Sequence, residues 1–386
     1  MQTLALVSIG IPVFDIVGGF SATITSLLEQ SYGEFEVVIV DDTGDETAGA
    51  SLEAEAERDK RLLYIKTPGH FGLLPAHAEA LSRSKGAYFM WLGVGDRLDR
   101  NFLETCVARL EAKSDLSLAI APTRLEPDLA DEGNMPELLN VTEGDPVRRV
   151  ESFLDSEIGL DLWYGVFRRP FIAAIPFRNA VGFELAFLAE VAFAGKIESI
   201  EDTWSVRGGG AEEPEKDIAS DEDYSLANSL GVPAFQLGDP YLVLAVQLFC
   251  NIAFLSNNFA TLPKIDRLRL AVSAYTRVAD RWGVIDEGQF ISFAVRVFPE
   301  ARITDRMHEL RHYLAATLYS QAESKVLFEP LSRAEEIING LCRLKIGRLS
   351  PTQKEREIVS KIRSQFDSSK SENFKNRAIL ALALFL

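Results

Sequence analysis

The 386 residues are enough for two domains with sizeable cores, and an apolar fraction of 47% beside 25% charged residues is that of an ordinary globular chain, not a disordered one. A formal net charge of −17 argues against a nucleic-acid partner, because neutralising phosphates requires a clustered cationic face. Cys106, Cys250 and Cys342 stand far apart without CxxC spacing, which predicts reduced core thiols in a cytoplasmic protein. The N-terminal apolar run lacks a basic preface and is broken by Pro12 and Asp15, against a signal peptide. No run reaches the roughly 18–20 apolar residues of a spanning helix.

The first half alternates between two periodicities. Residues 3–13 (TLALVSIGIPV) predict a strand whose ladder pairing Pro12 ends, and residues 21–30 a helix opened by Ser21. FEVVIV, from Phe35 to Val40, predicts a second strand stopping at Asp41-Asp42. A polar helix over 46–59, a short strand over 62–65, a loop at 67–72 and a helix through Leu81 follow. Residues 87–92 then read as a buried strand, and the loop GVGD, Gly93 to Asp96, leads to a helix for which Asp99 is the expected cap. Strand and helix in alternation predict a parallel sheet with right-handed crossovers, and open sheets of that kind place ligands at the carboxyl ends of their strands. On that rule Asp41, Asp42 and Asp96 are candidate ligand contacts, although an acid at a strand end also serves to cap a turn.

Beyond Arg207, residues 211–238 are rich in Glu, Asp, Ser and Gly and read as a lid or an interdomain linker. From 239 onward every periodic run is helical, at 241–255, 264–282, 287–297, 304–319, 332–344 and 351–366. Residues 341–377 hold ten Lys or Arg against four acids and lead into the apolar RAILALALFL. A basic stretch beside a short apolar helix is what an interfacial anchor requires, and packing of the tail onto the helical domain is the other reading.

Several separated motifs resemble the family 2 glycosyltransferases. They are VSIGIPVFD, SLLEQSYGEFEVVIVDD, HFGLLPAHAEALSRSKGAYFMWL, YGVFRR, and GFELAFLAEVAFAGKIESIEDTWSVR, together spanning about Leu6 to Arg207. The resemblance implies an α/β domain of the GT-A type, a Rossmann-like nucleotide-diphospho-sugar transferase fold, over 1–210, then the linker or lid over 211–238 and an all-α domain over 239–386. It also implies a nucleotide-sugar donor, a saccharide or lipid-linked glycan acceptor, and transfer with inversion in the cytoplasm, which an interfacial anchor at 341–386 on the inner membrane face would suit. Glu184 aligns with the catalytic base, while Pro12, Asp15, Asp41, Asp42 and His77 align with nucleotide contacts. Asp96 and Arg207 align with residues that handle the diphosphate.

The sequence departs from the family at the metal motif. Where Asp-x-Asp is usual, Gly93, Val94 and Gly95 precede a lone Asp96. Mg²⁺ or Mn²⁺ bridging a diphosphate prefers several hard oxygens. Three alternatives stay open: weak metal binding at Asp96, a metal-independent enzyme in which His77, Arg97 or Arg207 replaces the ion, or a catalytically silent binding module. For His70 and His77, two histidines without a motif, the simpler reading is as surface or packing residues.

Overall fold

Apolar runs bounded by turn residues fold into the alternation the sequence predicts. A computed structural model describes residues 4–14, 18–125, 139–156, 160–208, 230–284, 289–321, 336–341, 344, 349–368, 372–383 and 385. The chain divides into two units, Met1–Gly238 and Asp239–Leu386.

In the first unit, in chain order, lie β1 (Val7–Val13), α1 (Phe20–Leu28), β2 (Phe35–Asp41), α2 (Glu46–Ala56), β3 (Leu62–Lys66), α3 (Leu73–Arg83), β4 (Tyr88–Trp91), β5 (Arg97–Leu98) and α4 (Phe102–Ala112). They are followed by β6 (Leu116–Ile120), β7 (Thr123–Leu125), α5 (Pro146–Asp155), β8 (Val166–Arg168), α6 (Arg169–Ile172), α7 (Phe183–Ala194), β9 (Lys196–Ser199) and β10 (Ser205–Arg207). The main sheet has the order β3-β2-β1-β4-β8-β6-β9. Its β3-β2-β1-β4 half is parallel, as expected. The other half is not, because β8 runs antiparallel to both β4 and β6. A smaller sheet, β5-β10-β7, forms beside the main sheet's carboxyl edge.

β1 and β2 are central, and their apolar residues are buried on both faces, which explains continuous runs such as VVIV. Pro12 ends pairing only toward β4: Leu92 N–H donates to the Gly10 carbonyl (3.0 Å), whereas the β2 side continues through Val13 opposite Asp41. Two expected caps are not used. α1 begins behind Gly19, with no side-chain cap, since Ser21 Oγ turns toward Glu55. α4 begins behind Asn101, and Asp99 instead offers its carbonyl to Gln30 Nε2 and Phe102 N–H. α2 is capped by Asp45, which accepts from the Thr47 and Ala48 amides. Cys106 and Cys250 are buried free thiols, whereas Cys342 lies outside the described residues.

The second unit is helical: α8 (Pro240–Cys250), α9 (Lys264–Trp282), α10 (Phe290–Val297), α11 (Ile303–Gln321), α12 (Gln353–Ser368) and α13 (Glu372–Ala383), with a further helical segment over 336–341. α8 runs into a π-helical turn at Asn251–Leu255. α13, the apolar tail of the sequence, packs against α11 and α12 and buries Ala378 and Ala381. Among the described residues no helix is long and apolar enough to cross a membrane.

Candidate active site

Asp41 and Asp42 close β2, and both are buried. Asp41 Oδ1 accepts from the Thr43 amide (3.0 Å) and hydroxyl (2.7 Å), and Oδ2 accepts from Tyr64 Oη (2.6 Å). Asp42 carries more of the architecture. Its Oδ1 accepts from Thr67 Oγ1 (2.6 Å), and its Oδ2 accepts from the amides of Phe71 (2.9 Å) and Gly72 (2.7 Å). The predicted loop at 67–72 is therefore folded around one carboxylate, and His70 Nδ1 adds a contact to the Asp42 carbonyl. Gly72, at φ +97°, presses its backbone against Gly231, where a Cβ would collide with main chain. Residues 230–238 thus belong to this unit and border the loop; residues 209–229 lie outside the described residues.

The GVGD loop continues from β4. Thr23 Oγ1 accepts from the Gly95 amide (2.9 Å), and Asp96 Oδ1 accepts from the Gly208 amide (3.1 Å). Gly95 has φ +91°, and a Cβ on Gly208 would run into its carbonyl, so two glycines allow the loop and the end of β10 to touch. Val206 pairs with Arg97 in antiparallel register, which brings the next residue, Arg207, beside Asp96. The Arg207 guanidinium lies 5.8 Å from the Tyr164 ring centre. A Cβ on Gly93 would stand 2.7 Å from Asp96 Oδ2, so Asp96 fills the space in which an Asp-x-Asp motif would place its first side chain. Among the described residues, no three His, Cys, Asp or Glu gather as a metal site requires. One carboxylate with an amide already on it does not fit a protein-built divalent site.

An aromatic stack joins the remaining elements. Trp91, the last residue of β4, lies parallel to Trp163 at 4.3 Å, and Phe183 meets Trp163 edge-on at 5.9 Å. Phe183 opens α7, so the stack fixes that helix's first turn beside the end of β4. Glu184 is the next residue. It is half-buried, and desolvation raises its pKa, opposed by a hydrogen bond from its own amide. At the other end of α7, Arg149 donates to the carbonyls of Ala192 (2.8 Å) and Phe193 (2.8 Å), satisfying groups a helix terminus leaves open.

His77 sits inside this stack, with ring centres 5.9 Å from Trp91 and 5.6 Å from Trp163. Its Nδ1 bonds the Leu73 carbonyl (2.8 Å), and burial pulls its pKa down to about 4. It is therefore uncharged at neutral pH and brings no positive charge to a diphosphate. Of the other sequence-predicted residues, Pro12 is buried in β1, Asp42 lies one residue beyond β2, Asp96 and Arg207 meet through Gly208, and Asp15 lies outside the described residues. Sequence reasoning missed Thr23, Tyr64, Thr67 and Trp163. Thr67 alone had a signal, as the first residue of the predicted loop.

Residues 8–139 match the family profile described as Glycosyl transferase family 2. An uncharacterised protein of Mycobacterium tuberculosis is 31% identical over 123 residues, 32% of this chain and 38% of that protein. Glycosyltransferase GlyA of Streptococcus pneumoniae is 24% identical over 113 residues, 29% of this chain and 16% of that one. The matched stretches thus span well under two thirds of either relative. The crystal structure of S. aureus TarS superposes with a TM-score of 0.49 at 14% identity, covering 78% of this chain and 50% of that one. The profile match covers the strands and loops that carry Asp41, Asp42 and Asp96, so residues 8–139 of this chain are similar to the glycosyl transferase family 2 domain.

Proposed function

We propose that this domain transfers a sugar from a nucleotide-diphosphate donor to a hydroxyl of a saccharide or lipid-linked glycan, inverting the anomeric carbon without a protein-anchored metal. The observation that carries this reading is Glu184: an acid in the first turn of α7, locked by the Phe183–Trp163–Trp91 stack and pushed by desolvation toward the protonation range a general base needs. Glu184 takes the proton of the acceptor hydroxyl as its oxygen attacks the anomeric carbon from the face opposite the diphosphate. The C–O bond to the diphosphate breaks, and Arg207 offsets the negative charge that grows there. Asp96 holds the Gly208 amide, and with it the end of β10, while Asp42 holds the loop whose exposed His70 and Phe71 rings offer stacking surfaces to a nucleobase. Pro12, in β1, borders the same nucleotide edge, and His77 supports it by packing alone.

Calorimetric titration of the full chain with a panel of nucleoside diphosphates and their sugars, with and without EDTA, tests this. One nucleotide is expected to bind, with a Kd that chelation shifts by less than about threefold, because a single carboxylate contributes little to holding an ion. Binding that collapses on chelation would overturn metal independence. No nucleotide binding under either condition would overturn the transferase reading and leave a silent binding module.

A further inference from the structure

A groove of about 380 Å³ runs between α12 and the end of α13 in the second unit. Arg356, Val359, Ser360 and Arg363 line one side, at the three-to-four spacing that places them on one face of α12. Leu382 and Phe385 line the other side. Both arginines are exposed, and among the described residues neither guanidinium pairs with a carboxylate. Val359, Leu382 and Phe385 are half-buried, so the groove presents cations at its rim and hydrocarbon within. Ile379, on α13, is 54% exposed.

The groove's α12 wall is braced from below. Glu355, on the buried side of α12, accepts from Arg311 Nε (2.9 Å) and from the Thr352 amide (2.7 Å), while Thr352 Oγ1 accepts from the Glu355 amide (3.2 Å). This reciprocal capping box, tied to a fully buried arginine, fixes the start of the helix. It also removes Glu355 from the acids facing water. On α12 this leaves Lys354, Arg356, Lys361 and Arg363 exposed beside Glu357, in a chain whose net charge is −17.

We propose that this groove docks the second unit onto an anionic phospholipid surface, with headgroup phosphates between Arg356 and Arg363 and acyl carbon against Val359, Leu382 and Phe385. The pairing of cation and hydrocarbon argues for an amphiphile over a soluble anion, since a free phosphate gains nothing from the apolar wall. The remaining −23 of the chain disfavours a polyphosphate such as nucleic acid. α13 is twelve residues long, so it lies in the interface and does not span it. The proposal does not rest on the transferase reading.

Sedimentation of the full chain with vesicles tests it. Binding is expected to phosphatidylcholine–phosphatidylglycerol vesicles and not to phosphatidylcholine alone, and salt should weaken it. R356Q/R363Q should reduce partitioning about thirtyfold, at roughly one charge-equivalent of lipid attraction per arginine, whereas R356K/R363K should retain it. The substituted side chains are exposed, and an unchanged melting curve confirms that the variants fold. Equal binding to neutral vesicles, undiminished binding by R356Q/R363Q, or tight binding of soluble glycerol phosphate in the absence of vesicles would each overturn the proposal.

Discussion

Asp42 and Glu184 are both carboxylates drawn away from water, at two places along the carboxyl edge of one unit, and their surroundings differ in what compensates them. Asp42 is fully buried and accepts hydrogen bonds from Thr67, Phe71 and Gly72. Glu184 is desolvated with only its own amide opposing the shift, and its pKa rises. A carboxylate saturated by donors is a brace, because every lone pair is committed to the fold. One left under-compensated is poised to exchange a proton. The two regions therefore divide architecture from chemistry, and substitutions at each should separate the two readouts.

The largest effect is expected at Glu184. E184Q keeps the shape and removes the base, so kcat should fall by about 10²–10⁴-fold while the nucleotide Kd stays within about twofold. The wild-type rate should rise with pH along an acid limb displaced above the usual glutamate range. Stability carries the opposite sign. A raised folded pKa favours the protonated form, so this contribution is complete below the unfolded glutamate pKa and is lost as pH rises through the folded one. E184Q should flatten that loss in urea titrations taken across pH. A variant that turns over at the wild-type rate would leave Glu184 only an electrostatic role, as an acid in the first turn of α7 favoured by the helix dipole.

Asp42 should show the reverse pattern. D42N replaces one of the two accepting oxygens with an NH2 group that can only donate, so either Thr67 or the Phe71 and Gly72 amides lose their acceptor inside a fully buried site. The cost should be about 3 kcal/mol of unfolding free energy, read as a lower urea midpoint. Because the 67–72 loop loses its centre, the donor KM should rise with little change in kcat. A large kcat loss at unchanged stability would mean that Asp42 acts in the chemistry and not through the loop.

The legibility of these two regions in the sequence followed the range of the interactions involved. β1, β2 and β4 announced themselves because strands buried on both faces must be continuously apolar, and Asp45 capped α2 through its own neighbours. The helices of the second unit were readable for the same local reason. β5, β7 and β10 are two or three residues each, too short to show a period, and β5 and β10 pair across more than a hundred residues. The antiparallel insertion of β8 between β4 and β6 likewise leaves no local mark. At the site, alignment of motifs singled out Asp42, Asp96, Arg207 and Glu184, but not that Asp42 organises a loop. Nor could it reveal the Trp91–Trp163 stack, a contact between distant segments that turns His77 from a candidate cation into a packed neutral ring.

His77 supplies the smallest and sharpest test of that division. Its pKa falls from an ordinary value of 6.5 to about 4 because the stack excludes water from the imidazole. The sign follows directly: the unfolded chain binds a proton below pH 6.5 that the folded chain refuses. Stability from this group is thus complete above 6.5 and drains away as pH falls toward 4, by about 3 kcal/mol for a shift of this order. H77Q, which can still donate to the Leu73 carbonyl, should lose that acid-limb dependence while the wild type keeps it. Because the same stack holds Phe183, and through it Glu184, wild-type activity should fall over this window more steeply than protonation of one glutamate allows, and H77Q should restore the simple titration. Parallel stability profiles for the two proteins would mean that the imidazole is hydrated, and that α7 is held in place by something other than the Trp91–Trp163 stack.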